Sequence, residues 1–313
     1  MWPPPRAKQI VVGDCAADPP LGATGRALAT ARAEDVVYGL GAIALALGVK
    51  RLALRVRHDD ARAALEREIA RREARVQLRV LADAWPPPGG EEVVPASELV
   101  RAAERARGVE PRTYVTIAGA VRAPQVAGAR AGSTVEELVA LAGGALADDW
   151  VAVAGGAPSG TLAPRDAVVE DPLLLILPAS HEVVRRLRTP IADWLQRAAS
   201  ACEGCRLCSE ACPAPLEPHQ ILWTLATLRE DGVDLARALA CTGCGLCDAV
   251  CPSVLSPRAL TVAVRDRLRA AGANGNAARA NRSAVEKPGG LDVALLTLRL
   301  GLAPFAAPPA IRV

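Results

Sequence analysis

Eight of the nine cysteines in this 313-residue chain fall in two groups of identical spacing, 202-CEGCRLCSEACPAP-215 and 241-CTGCGLCDAVCPSV-254. Each sets four thiols at intervals of three, three and four residues and follows the last with proline. A chain of this length can bury a proper core without covalent staples, so the thiols need a chemical explanation. No amino-terminal segment combines basic residues, a long apolar run and a small-residue cleavage site. That argues for a reducing interior, where disulfides are rare.

Three thiolates spaced by two residues can wrap one face of an iron–sulfur cube from a single tight loop. The fourth cysteine, followed by proline, leaves that loop in another direction and in two-cluster proteins ligates the other cube. By that rule Cys202, Cys205, Cys208 and Cys251 hold a first 4Fe–4S cluster, and Cys241, Cys244, Cys247 and Cys212 hold a second. Zinc is the competing expectation, but zinc ribbons use two CxxC pairs per ion, and here each group offers three thiols plus one before a proline. Cubes ligated by four cysteines have no open iron for bond making, so the pattern predicts an electron relay and no catalytic side chain.

Gly204, Gly243 and Gly245 can offer backbone N–H groups to cluster sulfurs, or serve as ordinary turn glycines. Cys15 stands alone and is expected to be a buried, inert thiol. His58, His181 and His219 are scattered and are expected at the surface or at helix caps. The 37 basic and 34 acidic residues leave a net charge of +3 with no basic cluster among aromatics, which argues against nucleic acid. The longest apolar runs, 36-VVYGLGAIALALGV-49 and 172-PLLLILPA-179, are shorter than the roughly 20 residues that cross a bilayer. A soluble or peripheral protein follows.

Up to about residue 108, β-rich runs (9–13, 52–57, 76–81) alternate with helical patterns (33–49, 60–74), which implies a parallel sheet with helical crossovers. The segment 84-AWPPPGGEEV-93 reads as a loop, after which Ser97 is expected to cap a helix through Arg107. Strands at 112–119, 150–155 and 172–178 surround one helix at 133–144, for which Ser133 and Glu136 would form a capping box and Gly143 the stop. In 181–200, Val184, Leu187, Ile191, Trp194, Leu195 and Ala198 recur at helical spacing, with Thr189 and Pro190 suited to the cap and first turn of a second helix. Residues 217–240 read as two helices broken near Gly232, and 258–271 as another. The stretch 272–290 reads as mobile, and 291–305 can pack back on the body. One tempting site is 39-GLGAIA-44, which matches the dinucleotide fingerprint with Asp59 and Asp60 downstream. Against it, Val36, Val37, Leu40, Ile43, Ala44 and Leu47 form one helical stripe, and a glycine-tolerant helix is expected instead.

With the cysteine groups placed, the chain resembles the C-subunit family of the Rnf electron-transport complex, most closely the cobalamin reductases of propanediol-utilising microcompartments. Both look like relatives of the flavin-bearing subunit of respiratory complex I. The resemblance rests on 11-VVGDCAADPPL-21 against "NGxECEPxL", on 84-AWPPPGGEEVV-94 against "YPxGGEKxL", and on 113-TYVTIAGAVRAPQVAGARAGSTVEELVALAGG-144, similar to the family's β-grasp module. The run 153-VAGGAPSG-160 stands where members carry "GGPMMG", and 216-LEPHQIL-222, 253-SVLSPRAL-260 and 298-LRLGLAPF-305 lean towards the microcompartment enzyme. It implies a fold of α/β plus α+β class: a Rossmann-like parallel-sheet remnant of a flavoprotein domain over 1–108, a β-grasp (soluble-ligand-binding, SLBB) domain over 109–180, a helical two-cluster ferredoxin-like domain over 181–271, and a flexible tail with a short terminal helix over 272–313. Family members begin with a glycine-rich "GxGGAGFPT" loop for flavin and nicotinamide phosphates, which 1-MWPPPRAKQ-9 does not supply, and Ala16, Ala17 and Asp18 replace the glutamate after the cysteine. These departures count against FMN and NADH being held here.

The function expected is therefore an iron–sulfur subunit of an NADH-linked oxidoreductase. It would pass single electrons from a flavin on another chain or segment to an acceptor such as a corrinoid or quinone. The alternatives are a self-sufficient FMN-dependent NADH dehydrogenase or cobalamin reductase, and a structural or ligand-sensing protein braced by clusters. The partners implied are a flavin-bearing chain and an electron acceptor. The location implied is the cytoplasm, a microcompartment lumen or the inner face of the membrane.

Overall fold

The computed structural model describes residues 10–87, 92–214, 216–227, 234–273 and 290–313. The expected helix break near Gly232 and the tail from 274 to 289 lie outside the described residues.

The first unit runs through β1 (Ile10–Asp14), α1 (Thr24–Ala31), α2 (Ala33–Leu47), β2 (Arg51–Val56), α3 (Asp59–Arg71), β3 (Val76–Val80), β4 (Ala84–Trp85), β5 (Val93–Pro95) and α4 (Ala96–Ala106). Its sheet has the order β3-β2-β1-β5 and every neighbouring pair is parallel. Val11, Val12, Leu54 and Val56 are fully buried, as expected of parallel strands covered by crossover helices. The glycines at 39 and 41 lie in the middle of α2, so the dinucleotide match belongs to a helix. Their environments differ. A Cβ on Gly39 would sit 1.8 Å from the Leu99 carbonyl oxygen, so this glycine lets α2 lie against α4, whereas Gly41 faces open space. The apolar stripe of α2 is shorter than its pattern: Leu47 is exposed, because Gly48 turns left-handed (φ 67°) and ends the helix. Asp60 is engaged by Arg26 at 2.9 Å. The chain passes from β5 into α4 through Pro95, which occupies the cap position without a side-chain bond, so Ser97 lies within the helix and caps nothing.

The second unit contains β6 (Thr113–Gly119), β7 (Gln125–Ala129), α5 (Val135–Leu141), β8 (Trp150–Ala154), β9 (Thr161–Ala163) and β10 (Leu173–Pro178). Its sheet, closed at one edge by β12 (Ala310–Arg312), has the order β12-β7-β6-β10-β8-β9. The central β6–β10 pair and the β12–β7 pair are parallel and the others antiparallel. The capping box of α5 falls one residue later than the sequence suggests. Thr134 accepts from the Glu137 N–H at 3.3 Å and donates its own N–H to the Glu137 carboxylate at 2.9 Å. Thr134 bridges to Val168 in extended backbone, the conformation a cap residue needs. The first two units are joined by buried polar contacts: Thr24 Oγ1 to Thr116 Oγ1 at 2.8 Å, and Arg32 donating to the Tyr114 hydroxyl at 2.8 Å, which itself donates to Glu104.

The cysteine region follows as α6 (Glu182–Arg188), α7 (Ile191–Ala201), α8 (Leu207–Glu210), α9 (Pro218–Thr227), a 3-10 helix (Leu235–Ala240), α10 (Leu246–Ala249) and α11 (Pro257–Ala270). His181 caps α6, accepting from the Val183 N–H at 3.2 Å. Pro190 takes the cap position of α7, outside its first turn, and Ile191 is exposed while Trp194 and Ala198 are buried. After residue 290 the chain is structured: β11 (Leu291–Asp292) pairs antiparallel with β4, α12 (Val293–Arg299) follows, and β12 joins the second sheet. The expected flexible tail and the expected loop at 84–93 thus each give up two residues to the other, because Leu291 and Trp85 share an apolar cluster with Leu296, Leu300 and Leu302. Among the described residues no helix is long and apolar enough to cross a membrane.

Gly39→Ala is expected to lower stability by roughly 2 kcal/mol, the cost of overpacking a tight contact. Gly41→Ala should be neutral or raise stability by up to about 1 kcal/mol through helix propensity. Chemical unfolding of the two variants checks the contrast.

Candidate metal centres

The two cysteine loops share one backbone course. Gly204 and Gly243 are left-handed (φ 65° and 72°), and so are Arg206 and Gly245 (φ 62° and 80°) at the starts of α8 and α10. These two turns deliver the third thiol of each group, Cys208 or Cys247, on the first helical turn. A non-glycine residue in this conformation costs roughly 1–2 kcal/mol, which Arg206 bears because the loop requires it.

The thiols gather round two hollows. One is lined by Cys202, Cys205, Cys208 and Cys251, with Glu203, Arg206, His219, Leu222 and Leu255. The other is lined by Cys212, Cys241, Cys244 and Cys247, with Gly243, Gly245, Leu216 and Arg258. Each hollow therefore draws three thiols from one group and the fourth from the other. Electrostatics reports the same neighbours. Burial pushes the Cys208 thiol up to about 12, reinforced by Cys251, Cys205 and Cys202. Burial likewise holds Cys247 well above its ordinary value, reinforced by Asp248, Cys244, Cys212 and Cys241. Neutral thiols are favoured here until a cation displaces their protons. Among the described residues no three His, Cys, Asp or Glu groups close on one point as the ligands of a single ion do. The sulfurs are ranged round the hollows instead.

The surroundings of the hollows differ. Residues 203 to 207 are all exposed, whereas their counterparts Gly243, Gly245 and Leu246 are buried. A Cβ on Gly245 would lie 1.7 Å from the Pro158 carbonyl oxygen, so this glycine seats the second loop on the β8–β9 connection. Trp85 donates its indole N–H to the Cys244 carbonyl at 3.2 Å. Arg258 donates to the Gly243 carbonyl at 2.9 Å and to the Ser159 carbonyl at 2.6 Å. The Gly243 N–H lies 3.4 Å from Cys241 Sγ, a backbone donor to a thiol, while Gly204 has open space around it. Sequence reasoning passed over Trp85, Pro158 and Arg258. Of these only Trp85 carried a signal, since a partly buried indole seeks an acceptor. Cys15 is buried at the end of β1, its thiol pushed up by burial and by Asp14 and Asp18, far from both cysteine groups in sequence.

No family model matches the chain. Among curated proteins it is similar to the cobalamin reductase PduS of Salmonella typhimurium, 32% identical over 129 residues, and to that of Citrobacter freundii, 33% identical over 126 residues. Each match covers 39% of this chain and 28% of the relative, so the chain spans little more than a quarter of the curated relatives it matches. Among solved structures it is similar to a chain of NAD+-reducing NiFe hydrogenase in the H2-reduced state, with a TM-score of 0.50 and 16% identity over 87% of this chain and 62% of that one. That likeness is one of fold.

A second group of chemically notable residues lies at the carboxyl ends of β1 and β2, the edge beside which open parallel sheets bind ligands; the strand order β3-β2-β1-β5 itself reverses on the other side of β1, towards β5. Asp14, Asp18 and Arg55 are buried there, with Arg57 almost so. Asp18 accepts from the backbone N–H groups of Gly25 and Arg26 at 2.9 and 3.0 Å. A side-chain carboxylate thus fills the amino end of α1, the place a cofactor phosphate would take. The fit to a dinucleotide or flavin phosphate at that helix is poor. Arg57 donates to the carbonyls of Asp18 and Ala84 at 3.2 and 2.8 Å, and Arg55 lies 3.7 Å from Asp14. Among the described residues Nε and Nη2 of Arg55 and Nε of Arg57 are buried without a hydrogen-bond partner.

Gly245→Ala is expected to unseat the second cysteine loop from the Pro158 segment, exposing it to limited proteolysis that the parent chain resists. Gly204→Ala meets no neighbour and should cost only the roughly 1–2 kcal/mol of its left-handed turn. Equal protease sensitivity of the two variants would contradict this account of Gly245.

Proposed function

We propose that this chain is an electron-transfer iron–sulfur component of an NADH-linked oxidoreductase. The observation that carries the reading is the sorting of eight cysteines into two four-thiol hollows, each completed by the fourth cysteine of the other group. Its support from kinship is the partial match to proteins named cobalamin reductase. In this reading the four thiols of each hollow hold a 4Fe–4S cluster, the residues and the spacing fit that group, and no side chain does bond-making chemistry. When bound, such a cluster supplies one-electron reduction and oxidation. The chain's residues hold and tune. The paired left-handed turns fix the direction of the thiols, the Gly243 N–H faces a cysteine sulfur, and buried Leu246 and the Pro158 segment keep water from one side of the second hollow.

The electron donor in this reading is a flavin on a partner chain or segment, since the α1 amino end is filled by Asp18. The acceptor is a corrinoid, as the name of the curated relatives suggests, or a quinone. Membership of the wider Rnf C-subunit group, an SLBB character for the second unit and residence at a microcompartment or the inner membrane face belong to the same proposal. A second reading, a self-sufficient flavoprotein, is favoured by the unpaired buried nitrogens of Arg55 and Arg57 at the ligand-binding end of the parallel sheet.

Full-length chain purified without oxygen is expected to contain about eight irons and no flavin. Bound flavin with NADH bleaching of the cluster absorbance would favour the second reading, and stoichiometric zinc would overturn both. Cys212→Ser is expected to damage the cluster held by Cys241, Cys244 and Cys247 and to spare the other. Loss of the signal that Cys205→Ser removes would contradict the crossed assignment.

A further inference from the structure

The two cysteine groups extend into a longer repeat. Counting from the third thiol, 208-CSEACPAPLEPHQI-221 aligns with 247-CDAVCPSVLSPRAL-260 without a gap. The alignment pairs Ser209 with Asp248, Leu216 with Leu255, Pro218 with Pro257, and His219 with Arg258. The structure obeys it. In the first copy the backbone N–H of His219 donates to Ser209 Oγ at 3.2 Å, and in the second that of Arg258 donates to Asp248 Oδ1 at 2.8 Å. Both paired residues are the second of a helix whose first is their proline, and His219 lines the first hollow as Arg258 lines the second.

The equivalence exposes a difference in charge. Arg258 is the one charged side chain lining the second hollow among the described residues. Arg265, one helical stretch further along α11, donates to the Cys241 carbonyl at 3.0 Å and is largely buried. The acids facing this side are Asp248, held by the Ser256 hydroxyl at 2.6 Å and by the Arg258 N–H, and the exposed Asp266 beside Arg265. Arg186 also acts on Asp248. The first hollow is lined instead by Glu203 and Arg206, of opposite sign and exposed, and by His219, which sits 3.4 Å from Glu217.

We propose that Arg258 and Arg265 are positioning residues that raise the reduction potential of the centre ringed by Cys212, Cys241, Cys244 and Cys247, and of that centre alone. The physical ground is that reduction adds one electron to a cluster and its thiolates. A fixed positive charge at a partly dry site stabilises the more negative state, and charge and hydrogen bonding around the sulfurs are recognised determinants of cluster potential. No proton or further reactant is required: a reductant gives up one electron and the centre gains it. Arg258 has a second duty, since the same guanidinium ties the loop to the Ser159 carbonyl. Arg265 touches no residue of the second sheet among its hydrogen bonds, which makes it the cleaner probe.

This inference rests on the two-cluster reading, and the test separates the two. The full chain is reconstituted anaerobically, its iron is counted, and it is titrated with dithionite while the paramagnetic signals are followed. Cys205→Ser identifies which signal belongs to the exposed centre. Fewer than eight irons in the parent chain would sink the reading itself. With eight irons present, Arg265→Gln is expected to lower the midpoint of the signal that survives in Cys205→Ser and to leave the other in place, with Arg265→Lys largely restoring it. The reverse experiment needs no loss of an arginine: His219→Arg, which copies the second repeat into the first, should raise the midpoint of the other signal. Unmoved midpoints in both Arg265→Gln and His219→Arg at full iron content, or equal shifts of both signals, would overturn the proposal.

Discussion

The crossing of the fourth cysteines is the constraint on which the carboxyl-terminal half depends. Because Cys212 joins the hollow of the second group and Cys251 that of the first, neither loop can assemble alone. The intervening chain must fold back far enough to bring the two loops together. It does so over two small apolar clusters. Trp194, Leu222, Leu255 and Leu260 pack beside one hollow, and Leu216, Ile221 and Ala238 beside the other. Each cluster also contains cysteines of the hollow beside it, Cys202 and Cys251 in one and Cys212 and Cys241 in the other. A protonated thiol in such a place contributes as a small hydrophobe, and conversion to a bound thiolate couples metal affinity to folding of the surrounding helices.

The second hollow sits where the three units meet. Leu246 belongs to the same buried cluster as Leu173, Leu175 and Leu177 of β10, Leu296 of α12 and Leu300 just after that helix. Trp85 reaches it from the parallel-sheet unit. This junction is assembled largely from contacts to backbone: an indole on one carbonyl, a guanidinium on two others, and a glycine beneath a fourth. Backbone contacts fix position closely, since they leave no side-chain rotamer to adjust at the receiving end. Among the described residues the first hollow has no comparable partner for residues 203 to 207, so the two repeats differ in their surroundings while sharing their left-handed turns.

How much of this was legible follows the range of the signal. The spacing marked the two cysteine loops, because a tight turn that gathers three thiols is a local property of the backbone, whereas the hollow that Cys212 or Cys251 lines depends on how distant segments pack. Alternating runs located β1, β2 and β3 for the same reason. Caps were misplaced by one or two residues where tertiary structure chose the extended position: Thr134 over Ser133 because of the bridge to Val168, and Pro95 over Ser97 because a strand runs straight into the helix. The partners of the second hollow were illegible. Pro158 lies 87 residues before Gly245, and nothing local marks a glycine as the seat for a distant carbonyl. The carboxyl-terminal strands were missed because three exposed residues, Ala310–Arg312, become a strand only by pairing with β7.

The false dinucleotide match and the true ligand-binding end of the sheet illustrate the same distinction between pattern and place. Gly39 is required by a carbonyl of α4 and Gly41 by nothing nearby, so two residues of one motif owe their presence to unrelated causes. The end of the sheet suited to an anion is instead the amino end of α1, and there the chain places the carboxyl group of Asp18, whose pKa burial pushes up against the pull of the Gly25 and Arg26 N–H groups. A buried carboxylate bonded to two backbone N–H groups satisfies donors that would otherwise be orphaned. Any phosphate entering that seat would have to displace it and leave Asp18 buried without those bonds. Arg57 reinforces Asp18 in that seat by donating to its backbone carbonyl at 3.2 Å, while Arg55 faces Asp14. Their unpaired nitrogens belong to the β2 side of the cleft, so a ligand recruited by them would approach from the strand, away from the helix end that the sequence motif was invented to describe.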